Sequence, residues 1–311
     1  MASGSTKAIL AAFFANLGIA IAKFVGYAFT SSSSMLAEAI HSVADTSNQA
    51  LLLLGSRRAT RDATPEHPFG FGRERYFWSF IVALVLFTLG GLFAIYEGVH
   101  KLGEASHELS NVGWAIGILV FGMLLEGYSF YAAAKASRAL KGQASWWEFI
   151  RHSRTPELPV VLLEDFGALV GLALALLGIS ISAITGDSRW DAYGTISIGV
   201  LLVVIAAVLV FEMKSLLIGE SALGSMRKTI VRAIEETPDV NRLLHMRTQH
   251  IGPDELLVAA KVQLKPGLDT ARVAATINQT EQRIREVVPI RCMVYLEPDV
   301  FDPAHPDLAR G

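Results

Sequence analysis

Five titratable residues stand inside stretches otherwise too apolar for them. Glu38, His41 and Asp45 lie at i, i+3 and i+7 within the run 34–54, on one face of a helix. His41 and Asp45 are four apart, so an imidazole and a carboxylate can reach one point. Such a nitrogen–oxygen pair suits zinc, and less exclusively iron, cobalt or manganese. Glu164 and Asp165 sit in a second apolar run, 158–185. Successive helical residues diverge by about 100°, so one of these two faces the His41–Asp45 pair. The other flanks it or contacts a neighbouring helix. An ionisable group at mid-span costs roughly 2.5–3.5 kcal/mol on insertion scales, so each needs a reason.

The reason turns on what neutralises them. Lys23 lies near the outer end of the first apolar run, where its stem is expected to snorkel outward. That leaves no internal base for the acids. Carboxylates paired only to hold a bundle together are the structural alternative. A His-x-x-x-Asp turn with further acids and no base favours a cation instead: a metal, a proton, or each in turn. Glu126 lies mid-run and is either a bundle hydrogen bond or a proton-linked group, while Glu97 is near an outer end and expected to be solvated.

The elements that must position these residues are helices in a bilayer. The 311 residues are 52% hydrophobic and only 18% charged, with mean hydropathy +0.41 and net charge −2. Soluble domains carry about 25% charged residues. The excess is confined to residues 1–220, which excludes a disordered chain, a disulfide scaffold and a purely cytosolic enzyme. No basic field points to nucleic acid. The first run is too long for a signal-peptide core, so a cleavable leader is not expected. Six spans are predicted, at 7–29, 34–54, 77–100, 112–134, 158–185 and 190–217. The serine run Ser31–Ser34 makes an outer turn whose hydroxyls cap the second span. Ten Lys and Arg residues in the 2–3 and 4–5 connections face two in the remaining turns. The positive-inside rule therefore puts both termini in the cytoplasm. Trp146 and Trp147 suggest a short interfacial helix in the 4–5 connection.

From Ser221 the pattern becomes that of a soluble domain. Helical periodicity over 226–236 is followed by a possible strand at 243–250 and a Gly252-Pro253-Asp254 turn. Clean alternation at 256–264 marks a second strand, 269–287 an amphipathic helix, and 290–296 a third strand. The order αββαβ predicts an α+β layer of ferredoxin-like type with helices on one sheet face. We expect residues 1–217 to form a six-helix transmembrane domain and 218–311 a cytoplasmic dimerisation domain. Cys292, the single cysteine, falls on an apolar strand face and is expected to fill core. His245 and His250 are expected to be solvated.

Taken together, the run Met35-Leu36-Ala37-Glu38-Ala39-Ile40-His41-Ser42-Val43-Ala44-Asp45, the connection His67-Pro68-Phe69-Gly70-Phe71-Gly72-Arg73-Glu74-Arg75 and the αββαβ tail resemble the cation diffusion facilitators over nearly the whole chain. Within that family the resemblance is to the zinc transporter 9 branch. It implies a dimeric antiporter that moves zinc or a related divalent ion out of the cytoplasm against protons. It further implies that His41 and Asp45 are the span 2 ligands and Asp165 the second span 5 ligand. Val161 stands where the family usually carries His or Asp, so Glu164, after a small helix rotation, or a water fills that place. The interfacial site of the family retains His67, but its second histidine position is Phe71. The tail ligand positions fall on Leu244, Lys261, Tyr295 and Glu297, which implies a tail that dimerises without the usual metal cluster. His67, Glu38 and Glu126 complete the secondary candidates for the ion.

Metal binding requires deprotonated ligands and so releases protons. A single pocket that takes metal on one side and protons on the other exchanges them by competition. The expected activity is therefore proton-coupled efflux by alternating access, with zinc favoured and manganese, iron or cobalt as substitutes. No prosthetic group is expected, and the partners are the divalent ion, protons, lipid and a second copy of the chain. The expected host is the plasma (inner) membrane. The alternatives are an intramembrane metal hydrolase with Glu164 as base, which lacks any His-Glu-x-x-His helix, a metal-sensing scaffold, and a passive channel.

Overall fold

The computed structural model describes residues 2–103 and 111–302, with side chains outside the described set at 2–15 and 139–140. The chain divides into two compact units, residues 1–58 with 75–214, and residues 59–74 with 215–311.

The first unit is helical. Its elements are α1 (Ala2–Thr30), α2 (Ser33–Ala59), α3 (Glu74–Val85) continuing through a π-helical segment (Leu86–Leu92) into α4 (Phe93–Gly103), α5 (Val112–Lys141), α6 (Trp146–His152), α7 (Glu157–Thr185) and α8 (Arg189–Ile218). Among the described residues, four helical stretches are long and apolar enough to cross a membrane: 74–103, 112–138, 157–185 and 189–218. These make the chain a multi-pass membrane protein. A short helix, α6, forms where an interfacial one is predicted, started by a capping box between Ser145 and Glu148.

Glycines set how closely the helices pack. A Cβ on Gly91 would stand 2.7 Å from Val203, one on Gly98 2.6 Å from Ile196, and one on Gly199 2.6 Å from Ile95. The α3–α4 helix thus lies backbone-close to α8, as small residues permit in lipid. The π-helical segment interrupts what the sequence presents as one regular span. It contains the Gly90-Gly91 pair, whose low helical propensity lets a widened turn form there at little cost. The core of the unit includes Met35, Leu86, Leu119, Leu172, Ile198 and Leu202.

The serine turn does more than cap. Ser31 takes the left-handed conformation at φ 54°, and the Ser32 hydroxyl accepts from the Met35 amide at 3.2 Å. The same hydroxyl donates to Asp191 Oδ1 at 2.8 Å, while the Ser33 amide and hydroxyl donate to Asp191 Oδ2 at 2.7 and 3.0 Å. Asp191, fully buried in the first turn of α8, is therefore the anion held at the N-terminus of α2. Nothing in the sequence reading assigned it a role.

The second unit comprises α9 (Gly224–Glu235), β1 (Val240–Gly252), β2 (Glu255–Leu264), α10 (Thr270–Val287) and β3 (Arg291–Pro298). The order is αββαβ, as predicted. β2 is central, antiparallel to β1 and parallel to β3. Alternate β2 residues Leu256, Val258, Ala260 and Val262 are buried against Ile230, Ile234 and Ile284 of the helices. Cys292 is buried in this core, and burial pushes its thiol up to about 11. His250 is also buried, at 3% exposure, and so is not the solvated residue expected. It lies next to Ile251 and Gly252 at the buried end of β1. His245 is half-buried and accepts from Arg247 Nε at 3.0 Å. Residues 59–74 group with this unit and not with the helices: a Cβ on Gly72 would stand 2.9 Å from the Ile251 carbonyl.

Candidate metal centre

The face of α2 that carries Glu38, His41 and Asp45 is buried, and polarity along it continues to Asn48 one turn further. His41 is 1% exposed, and neither ring nitrogen has a hydrogen-bond partner among the described residues. Its Nε2 stands 3.6 Å from Asp45 Oδ2, too far for a hydrogen bond. His41 Nδ1 lies 3.6 Å from where a Cβ on Gly90 would be, so the π-helical segment opens room beside the ring.

On α7 the two neighbouring acids part company. Glu164 turns toward α2, where Asn48 Nδ2 donates to its Oε1 at 2.7 Å. Its carboxyl is also within hydrogen-bonding reach of Asp45. Two carboxyls so placed require a shared proton or a cation. Asp165 turns toward α5 instead, accepting from Ser129 Oγ at 2.9 Å. The α7 group that the structure brings to His41 and Asp45 is therefore Glu164. The start of α7 is fixed by Arg75, which donates to both carboxylate oxygens of Glu157.

Among the described residues, no three His, Cys, Asp or Glu side chains are gathered closely enough to hold an ion as they stand. His41, Asp45 and Glu164 nonetheless share one buried region, with orphaned atoms at His41 Nδ1 and Nε2, Asp45 Oδ1 and Asn48 Oδ1. An unsatisfied buried polar group costs about 1–3 kcal/mol. A cation bound by small side-chain adjustments removes several such costs at once. Asn48 was missed at the sequence level, although its i+7 spacing from His41 was the available signal.

Lys23 corrects the sequence reading. It is completely buried, and its Nζ donates to Glu38 Oε2 at 2.9 Å and to Ser42 Oγ at 2.8 Å. An internal base does therefore answer one of the acids, and it answers Glu38. The ammonium does not snorkel because α2 presents an acceptor pair one turn apart at its own depth. Glu126 is 6% exposed on α5 and feels the charges of Lys23 and Glu38. His67 is exposed, with its ring 4.7 Å from that of Phe71. In the second unit, Lys261 donates to Asp299 Oδ2 at 3.0 Å and pairs with Glu297 at 3.3 Å. These bonds to Asp299 and Glu297 raise the lysine above its usual range.

Residues 9–218 match the family model of the cation efflux transmembrane domain. The human mitochondrial proton-coupled zinc antiporter SLC30A9 is 29% identical over 297 residues, covering 94% of this chain and 52% of that protein. The Xenopus laevis protein of the same name is 32% identical over 77% of this chain and 43% of its own length. Magnetosome protein MamB of Paramagnetospirillum magneticum is 22% identical over 89% of this chain and 88% of its own. The chain spans about half the length of the zinc antiporters it matches. Their names place those antiporters in mitochondria, which leaves the expected plasma-membrane location without support.

Proposed function

This chain belongs to the cation efflux, or cation diffusion facilitator, family, and from that premise we propose that it is a proton-coupled antiporter of a divalent metal ion, zinc above all. The carrying observation is the His41 imidazole, 1% exposed with both nitrogens unpartnered beside the Asp45–Glu164 carboxyls. A neutral imidazole and one or two carboxylates make the donor set of a zinc site that keeps an open position. In this reading His41, Asp45 and Glu164 hold the ion. Asp165, one residue along, joins after release from Ser129.

Exchange needs no further machinery. The proton that lets Asp45 and Glu164 approach each other must leave when both become metal ligands. Protons arriving from the far side reverse the step and expel the ion. In the same reading α1 and α2 also cross the bilayer, giving six spans with both ends in the cytoplasm, and the ferredoxin-like tail pairs two copies. The host membrane is taken to be that of the named relatives, a mitochondrial one.

The test is zinc-dependent proton flux in proteoliposomes. Asp45→Asn is expected to reduce it at least 100-fold while the purified protein keeps its size-exclusion profile. Normal exchange by that variant would remove Asp45 from the ion path.

A further inference from the structure

Three helices of the first unit each give an apolar pair at i, i+4 to one groove: Phe130 and Ala134 from α5, Trp146 and Ile150 from α6, and Leu162 and Phe166 from α7. Its volume is about 260 Å³, and no charged side chain or hydroxyl lines it. The groove opens outward, since Phe166 and Trp146 are 44% and 38% exposed. The Phe130 and Phe166 rings stand 6.4 Å apart between α5 and α7, and Trp146 meets Phe149 edge-on at 6.5 Å.

Its place along the chain decides what fills it. The membrane-crossing stretch of α5 ends at Arg138 and that of α7 begins at Glu157. The groove therefore lies at the margin of the apolar layer, within two turns of the end of each span. Water finds no partners in so apolar a slot. A hydrocarbon chain does.

Beyond the groove the same face of α5 turns basic. Ala134, Arg138 and Lys141 fall at i, i+4 and i+7, so a stripe that is apolar at Phe130 and Ala134 is cationic over the next two turns. Lys141 Nζ stands 5.4 Å from the centre of the Trp146 ring, which puts the ammonium at the mouth of the groove. It donates to the Ala144 carbonyl. Among the described residues, no carboxylate pairs with Lys141 or Arg138. The acids on the flanking elements are already engaged: Glu148 in the α6 capping box, Glu157 with Arg75, and Glu212 with Arg151.

We propose that this groove binds one anionic phospholipid, its acyl chain along the α5–α6–α7 slot and its phosphate held by Lys141 and Arg138. Such a lipid answers both halves of the site at once. A zwitterionic lipid has the chain but brings its own cation, so it gains less from the basic mouth. An apolar helix, from a second copy of the chain or another protein, fills the slot and leaves both cations unanswered. A basic pocket between spanning helices at the membrane surface is suited to a lipid headgroup, and Trp146 is the residue type that sits at that level.

The experiment is native mass spectrometry of the full chain in detergent, titrated with phosphatidylglycerol and phosphatidylcholine that carry the same oleoyl chains. One basic side chain beside an anionic headgroup is worth about fivefold in affinity. The unaltered chain is expected to retain one phosphatidylglycerol, in preference to phosphatidylcholine by roughly tenfold or more. Lys141→Gln lowers that preference about fivefold, Lys141→Arg keeps it, and Arg138→Gln with Lys141→Gln brings the two lipids close to parity. Ala134→Trp fills the slot and abolishes retention of both. Equal retention of the two lipids by the unaltered chain overturns the inference, as does a preference unmoved in the double charge variant. A folded Ala134→Trp protein that still retains phosphatidylglycerol overturns it as well. If that variant instead keeps the lipid and changes the number of chains per particle, the groove is covered by a second copy, and the inference falls. Should Ala134→Trp not fold, the charge variants, altered only at exposed or half-buried positions, decide.

Discussion

At the scale of single residues, the depth at which Lys23 meets Glu38 has an energetic consequence. Both side chains are fully buried and 2.9 Å apart. Removing one partner of such a pair typically costs about 3–5 kcal/mol, because the other charge is left uncompensated, whereas replacing both with neutral groups is often tolerated. Lys23→Met alone is expected to lower the thermal midpoint in detergent sharply, and Lys23→Met with Glu38→Gln to recover most of the loss. A double variant no more stable than the single one would refute the pairing. Cys292 offers a milder test. Burial holds its thiol near 11, against 9.0 in an exposed chain. The native thiol therefore stays protonated at pH 8, and iodoacetamide is expected to label it far more slowly than after denaturation. The sign for stability follows: unfolding exposes a more acidic thiol, so the contribution is constant below about pH 9 and declines as pH rises toward 11. Neither the Lys23 pair nor the choice of Glu164 over Asp165 was legible in the sequence. Partners 15 residues apart on separate helices leave no spacing signal. Which of two adjacent helical acids turns inward depends on the rotation of α7, and tertiary packing sets that rotation.

At the scale of elements, the α1–α2 turn and α8 form one unit through Asp191. Its carboxylate receives three donors from Ser32 and Ser33. Hydrogen bonds to a charged group are worth about 1.5–3 kcal/mol each, and the donors left behind would be buried. Asp191→Ala is expected to destabilise the protein by roughly 3 kcal/mol or more, read as a drop in thermal midpoint, while zinc bound per chain is retained once folded. A change under 0.5 kcal/mol would mean the clamp carries no load. The serine run was visible as a turn, but its anion was not, because Asp191 lies more than 150 residues away. Most helices and strands were legible to within a few residues, since the tail alternates cleanly and the spans are long apolar runs, but α2 and α5 run on past their predicted ends to Ala59 and Lys141. The π-helical segment was not, because Gly90-Gly91 is compatible with a regular helix until the neighbouring side chains are in place.

At the scale of the whole molecule, the segment between α2 and α3 belongs with the sheet unit and not with the helices it joins. Gly72 and Gly252 meet so closely that a Cβ on Gly252 would stand 2.9 Å from Gly72 Cα. The segment remains covalently continuous with α2, which carries His41 and Asp45, and with α3, which leads into the π-helical segment beside His41. The β1–β2 hairpin accordingly holds the one stretch of chain that joins α2 to α3. An antibody or small protein that competes for this face of the hairpin is expected to release residues 59–74 from it.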